Sequence, residues 1–263
     1  MLPVYRAIQK VASLQGGTTR PWKVIVLKDN TPTPFVVKFF NSKDIEDAQH
    51  VAREVFSNAI ASDLDLSVPE PALILLDEAF IATLDVGDRE FLEAKDSRVK
   101  YGSQFIEGSV QYTRGLGRHI LDRYEVENIY AFDNLVHNVD RKNIKPNILL
   151  RDNSYYLIDH ELTLPINLKS IQNVRAGVSF YEYRIHIFYK YLRLAKHDTK
   201  LRYFESFEDH LRYMRPVEKL SPLRDQLIDL DHPVGDFDTL IEYLNLVKQN
   251  PSIFTKILKN QVL

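Results

Sequence analysis

Hydrophobic positions along the chain follow two different rhythms. In the first third, the β-prone runs 22–27 (WKVIVL) and 35–40 (FVVKFF) flank a polar stretch, residues 28–34, containing Asp29, Asn30 and two prolines. This pattern predicts adjacent antiparallel strands joined by a hairpin-like loop, with strand-like sequence starting near residue 20. Asn41 and Ser42 then open a helix, because Ile45, Ala48, Val51, Ala52, Val55, Ala59 and Ile60 recur every three to four positions as one buried stripe. Pro69 and Pro71 halt helical continuation, and residues 72–76 and 79–84 read as two further strands on either side of Asp77 and Glu78, the second with a loop against the sheet as its alternative.

Beyond residue 101 the rhythm becomes helical. Gly102, Gly108, Gly115 and Gly117 punctuate a connecting segment, after which residues 122–139 carry a helical stripe through Val126, Ile129, Tyr130, Phe132, Leu135 and Val136. Residues 148–150 and 155–158 are β-prone on either side of a turn at 152–154. Helices are predicted over 181–194 and over 237–257, the latter split by Pro251. The expected architecture is α+β and bilobed: a small β-rich N-lobe (residues 1–104) with one main helix, and a larger, mainly helical C-lobe (residues 105–263).

Composition narrows the function classes. The 263 residues are 44% hydrophobic and 27% charged, as in a folded globular protein, with 34 Lys and Arg against 36 Asp and Glu. A net charge of −2 disfavours a nucleic-acid-wrapping surface. The absence of cysteine excludes disulfides, thiolate zinc sites, iron–sulfur clusters and a cysteine nucleophile. Residues 1–17 lack a signal-peptide pattern, and no apolar run approaches the roughly 20 residues that span a bilayer, so no membrane association and a cytoplasmic location are expected.

Several polar residues stand where they can do chemistry. Lys38 interrupts the apolar run FVVKF, and Glu54 lies inside the buried stripe of the following helix. A lysine at a sheet edge can simply snorkel to solvent. Paired with Glu54, its ammonium can instead be held against phosphate oxygens. Gly16, Gly17, Thr18 and Thr19 precede the first predicted strand; glycines permit close backbone approach and threonine hydroxyls can bind phosphate, although a plain turn accounts for the segment equally well. Asp140, Asn147 and Asp159 supply three oxygen-bearing side chains within about twenty residues, a donor set suited to Mg²⁺.

Two other readings compete. His137 and His160, with Asp140 and Asp159, have the donor types of a metal-dependent phosphohydrolase, although buried core histidines are the plainer account. Residues 181–203 mix aromatics with six Lys or Arg, either as a protein or single-strand-binding surface or as an amphipathic helix whose aromatics enter the core. A catalytically inactive nucleotide-sensing or protein-interaction module is therefore the alternative to an enzyme.

Taken together, GGTTRP (16–21), FVVKF (35–39), Glu54, the segment 64–72 ending in SVPEPA, NVDRKNIKPNILL (138–150) and LIDHE (157–161) resemble the HipA-like branch of the protein-kinase-like superfamily. The resemblance implies a bilobed kinase-like fold, with ATP in the interlobe cleft and Mg²⁺-assisted transfer of its γ-phosphoryl group to a hydroxyl. The acceptor it implies first is serine or threonine of a protein; a small-molecule hydroxyl remains open. It also implies that Lys38 contacts phosphate, Glu54 partners it, Asp140 is the catalytic carboxylate, and Asn147 and Asp159 hold the metal. Gln104 and Glu107 would belong to the adenine-contacting hinge, and Gly16, Gly17, Thr18 and Thr19 to the phosphate cover. The chain departs from ordinary protein kinases in two places. His160 and Glu161 follow Asp159 where Phe-Gly is usual, and Asp140 and Asn147 stand seven residues apart instead of five. Asn143 is thus a rival ligand, and Lys145, at the usual amide spacing, cannot coordinate Mg²⁺ as an ammonium and is expected to contact phosphate instead.

Overall fold

The first strand, β1 (Val4–Ser13), lies before the point where the hydrophobic pattern predicted strands to begin. Its side chains are mostly exposed, with Ala7 the buried exception, so it carries little of the apolar alternation by which a strand is recognised. It pairs antiparallel with β2 (Trp22–Lys28) and parallel with β4 (Pro71–Leu75). The predicted hairpin between β2 and β3 (Thr31–Val37) is present but tighter than expected. Its turn is Asp29-Asn30, both with positive φ (49° and 61°), a conformation that Asn and Asp tolerate best among side-chain-bearing residues. Pro32 and Pro34 sit within β3, where the ladder with β5 (Lys100–Gln104) has not yet begun, so their missing N–H groups break no pairing on that side.

The computed structural model describes residues 1–14, 19–113, 115–179 and 182–263, and not the side chain of Arg118. By its own contacts the chain divides into two compact units. The first comprises Met1–Phe56, Pro69–Glu107 and Pro222–Gly235; the second comprises Ser57–Val68, Gly108–Ser221 and Asp236–Leu263.

In the first unit the strands close into a barrel in the order β1-β2-β3-β5-β4. Its interior is filled by Trp22, Val24, Val26, Phe35, Val37, Ala72 and Ile74, all buried. The Trp22 ring packs at a tilt against Phe39 (4.6 Å) and Phe91 (5.3 Å). The expected single helix over 45–60 is two helices, α1 (Ser42–Glu46) and α2 (His50–Asp63), separated where Gln49 adopts φ 51°. Asn41 caps α1 in a reciprocal capping box with Asp44. Residues 79–84, read as a strand, form the helix α3 (Glu78–Ala82), because the Asp77 side chain accepts a hydrogen bond from the Phe80 N–H and nucleates a turn. α4 (Val86–Glu93) follows, capped likewise by Asp85.

The second unit contains a three-stranded sheet, β6 (Val110–Gln111), β7 (Ile148–Arg151) and β8 (Ser154–Leu157), in that order. The predicted helix over 122–139 is shorter: α5 (Arg118–Leu121) ends early, Glu125 takes φ 45°, and α6 runs Val126–Leu135, buried on nearly every side. After α7 (Leu168–Ala176) comes a single 3₁₀ turn, Tyr183–Ile185, then α8 (Tyr189–Arg193) and α9 (His197–Arg202). A continuous helix over 181–194 is therefore absent from its described part. The backbone at 186–187 pairs instead with residues 141–142, through a Lys142–His186 bridge and the Ile187 N–H donating to the Arg141 carbonyl (3.1 Å). Within 182–203, Phe188, Tyr189, Leu192 and Tyr203 are buried while Lys190, Arg193 and Lys196 are exposed, as an amphipathic core-facing segment requires. The remaining helices are α10 (Glu205–Tyr213), α11 (Pro216–Asp229, which from Pro222 onward belongs to the first unit), α12 (Phe237–Gln249) and α13 (Pro251–Val262), the last two separated at Asn250-Pro251 as predicted. No helix among the described residues is long and apolar enough to cross a membrane.

Buried histidines give the fold an acid sensitivity with a definite sign. Burial pushes the His137 imidazole down to about 3, and burial also lowers His186 and His232. The unfolded chain takes up a proton at His137 below the ordinary histidine value of 6.5 while the folded chain does not, so stability falls as pH drops through that window. Between pH 6.5 and 4 this one residue is expected to cost about 3 kcal/mol. Urea unfolding midpoints should fall accordingly from pH 7 to 4, and His137→Asn, which suits the φ of 52° there, should flatten that slope.

Candidate active site

Lys38 lies one residue beyond β3, where its N–H donates to the Tyr101 carbonyl at 3.0 Å and so keeps the residue at the edge of the barrel. Its ammonium pairs with the carboxylate of Glu54 on α2, and both side chains are largely out of solvent, 13% and 1% exposed. The helical stripe that placed Glu54 on the buried face thus led to a real ion pair. Within the same unit, Gln104 ends β5 and donates its N–H to the Glu70 carbonyl (2.8 Å), while the Phe105 N–H donates to Pro34 (2.9 Å). Those two backbone donors are already engaged; Glu107 is exposed. Gly16, Gly17 and Thr18 lie outside the described residues; Thr19 stands just after them in a turn, and the Leu14 N–H donates to the Pro21 carbonyl (2.8 Å).

The other predicted residues converge within the second unit. Asp140 follows α6 by a short link in which Asn138, fully buried, accepts the Asp140 N–H on its Oδ1 at 3.0 Å. The loop then doubles back through a tight turn, with the Lys142 and Lys145 N–H groups each donating to the other's carbonyl at 3.2 Å. This turn accommodates the longer Asp140–Asn147 interval. It leaves Asn143 exposed and brings Asn147, buried, back to Asp140, whose Oδ2 accepts from Asn147 Nδ2 at 3.2 Å. The Ile158 N–H donates to the Asn147 carbonyl at 3.1 Å, tying the end of β8 to the start of β7 and holding residue 159 beside the loop.

Lys145 bridges the cluster, its Nζ lying 2.7 Å from Asp140 Oδ2 and 3.1 Å from Asp159 Oδ2. Burial pulls its ammonium down, but the hydrogen bonds and charges of Asp140 and Asp159 outweigh that and hold it above the ordinary lysine value. Asn147 and Asp159 both adopt left-handed backbone, φ 52° and 65°. Glu161 was not among the predicted site residues. It is buried, and one of its carboxylate oxygens lies within 4.8 Å of one on Asp159. The available signal was its position two residues after Asp159, where a strand would place both side chains on one face.

This donor set fits a hard divalent cation. The amide oxygen of Asn147 and the carboxylate of Asp159 are oxygen ligands of the kind Mg²⁺ selects, and Lys145 already brings positive charge to the same carboxylates. The histidines do not join it. His137 packs against the Tyr243 ring (5.8 Å) and His160 against Phe132 (5.8 Å). Among the described residues no histidine gathers with two other His, Asp or Glu ligand atoms, so the centre built on His137 and His160 with Asp140 and Asp159 is not assembled.

Comparison with known proteins gives three findings. No curated protein matches the chain. A crystal structure of a Helicobacter pylori proinflammatory kinase, CtkA, is similar at 12% identity and a TM-score of 0.54, covering 99% of this chain and 98% of that one, a likeness of fold. A complex of Neurospora crassa PAN2 (WD40-CS1) with PAN3 (pseudokinase and C-term) matches at 16% identity and a TM-score of 0.32 over 95% of this chain and 62% of that one. The sheet-rich N-terminal region and larger helical C-terminal region thus form a kinase-like α+β fold. The family model described as HipA-like kinase matches residues 8–214, most of the chain and every candidate site residue from Lys38 to Glu161, and the chain belongs to that family.

Proposed function

We propose that the chain is an ATP- and Mg²⁺-dependent phosphotransferase acting on a hydroxyl, with serine or threonine of a protein as the first class of acceptor. The observation that carries this reading is the Asp140–Lys145–Asp159 bridge with Asn147 seated on Asp140. Two carboxylates sharing one ammonium, beside the buried amide of Asn147, are equipped to align an acceptor hydroxyl and to meet polyphosphate charge. Family membership supports a kinase activity in general.

Asp140 would hold the acceptor hydroxyl and accept its proton as the phosphoryl group leaves ATP. Lys145 would turn from the two carboxylates to the transferring phosphate, and Lys38, oriented by Glu54, would bind phosphate oxygens further along the nucleotide. Asn147 and Asp159 would hold Mg²⁺, which when bound supplies neutralisation of phosphate charge. This reading assigns phosphate covering to residues 1–104, with Gly16, Gly17, Thr18 and Thr19 in the loop and Gln104 and Glu107 at the adenine, and catalysis to residues 105–263.

Calorimetry with MgADP, alongside ATP hydrolysis and self-labelling, tests the reading. The wild-type protein is expected to bind MgADP and turn over ATP, and Asp159→Gly, which suits the φ of 65° there, to lose at least tenfold in Mg²⁺-dependent affinity. Absence of nucleotide binding by the wild type would refute the reading and favour an interaction module.

A further inference from the structure

The second unit holds a fully buried ionic network that none of the roles above employs. Asp133, on the last full turn of α6, is completely buried, as are the side chains of Arg141 and His186. Asp133 Oδ1 accepts from Asn138 Nδ2 at 2.8 Å; its Oδ2 accepts from Arg141 Nε and, at 2.8 Å, from His186 Nε2. Each partner leads onward to the loop. Asn138 Oδ1 receives the Asp140 N–H (3.0 Å), and Arg141 Nη1 donates to the carbonyls of Pro146 (3.1 Å) and Asn147 (2.6 Å). One carboxylate therefore anchors the backbone at Asp140 and at Asn147.

His186 adds a third arm from a distant part of the chain. Its Nδ1 accepts the Phe188 N–H at 3.1 Å, so the neutral ring must carry its proton on Nε2, facing Asp133. Burial, acting against the attraction of Asp133, holds this imidazole below its ordinary value, which keeps that single tautomer in place. The Tyr130 ring packs edge-on at 5.0 Å and Phe188 at 5.7 Å, so aromatic walls fix the ring plane. The network balances one anion against one guanidinium, with His186 as a neutral donor on the carboxylate oxygen that Arg141 also uses.

We propose that His186 is a positioning residue: through Asp133 it fixes the loop that presents Asp140 and Asn147, so that the segment 182–188 controls the alignment of the catalytic loop. The kinetic consequence rests on the phosphotransferase reading above; the structural consequence does not. Arg141 Nη2 is buried without a hydrogen-bond partner among the described residues, but the bonds that Asp133 makes to Asn138, Arg141 and His186 rigidify what they touch, and loss of one arm loosens the rest. Because phosphoryl transfer depends on alignment, a small displacement of Asp140 lowers turnover far more than it lowers nucleotide affinity.

Two substitutions in the full-length chain separate the arms. In His186→Gln the longer amide reaches the Nε2 position and still donates to Asp133. In His186→Asn the shorter amide can satisfy the Phe188 N–H but cannot reach Asp133. Amide hydrogen exchange over residues 138–147 is expected to quicken at least tenfold in His186→Asn and to stay within threefold of wild type in His186→Gln. In ATP hydrolysis, kcat of His186→Asn should fall on the order of 10- to 100-fold with KM for ATP within threefold, and His186→Gln should restore most of it. Equal behaviour of the two variants, in exchange or in kcat, would overturn the proposal. If the wild type neither binds MgADP nor hydrolyses ATP, the phosphotransferase reading fails, and the exchange comparison alone decides the positioning role.

Discussion

Asp140→Asn is expected to lower phosphotransfer turnover by a factor on the order of 10² to 10⁴ while leaving MgADP affinity within about threefold. The substitution preserves shape and an oxygen for Asn147 Nδ2, so the loop has no steric reason to move. It removes the negative charge that would orient and deprotonate the acceptor. It also leaves Lys145 with Asp159 as its one remaining carboxylate partner of the two, at 3.1 Å. A loss confined to kcat would mark Asp140 as acting at the chemical step. Turnover within threefold of wild type would remove Asp140 from that role, and a parallel loss of nucleotide affinity would assign it to binding instead.

Arg141→Met should destabilise the fold by about 3–5 kcal/mol, the cost of leaving a buried carboxylate without its charged partner. Asp133 has no exposed surface through which water could replace the guanidinium, and the Pro146 carbonyl would lose the Arg141 donor while the Asn147 carbonyl kept only the Ile158 N–H. The double variant Arg141→Met, Asp133→Leu should recover a large part of that loss, because the stranded charge is then gone too. Chemical denaturation of the three proteins measures both quantities. A cost below about 1 kcal/mol for the single substitution would mean that the network contributes little net stability.

What was legible in the sequence was local. Asn250-Pro251 divides α12 from α13 because proline lacks the N–H that a continuous helix requires. Glu54 was legible because helical spacing puts it on the same face as Val51 and Val55, and that face is buried. Strand β1 was missed because a barrel strand with one mostly exposed side chain row need not alternate in hydrophobicity. The run 79–84 was misread because its composition is β-prone, whereas a single cap at Asp77 decides the matter through geometry that hydropathy does not encode. The Asp133–His186 contact joins residues 53 positions apart, and nothing in either neighbourhood announces the other. Family resemblance carried Asp140, Asn147 and Asp159 to one locale; it said nothing of the scaffold holding them there.

The left-handed backbone at Asn147 and Asp159 bears on how the site should be probed. Asparagine and aspartate bear this conformation with less penalty than alanine does, and glycine bears it with none. An alanine scan would therefore deduct a functional group and add torsional cost in one stroke, inflating the apparent importance of both positions. Paired glycine and alanine replacements disentangle the two contributions: the glycine protein reports the missing oxygen, and the difference between them reports the chain's own reluctance to bend that way.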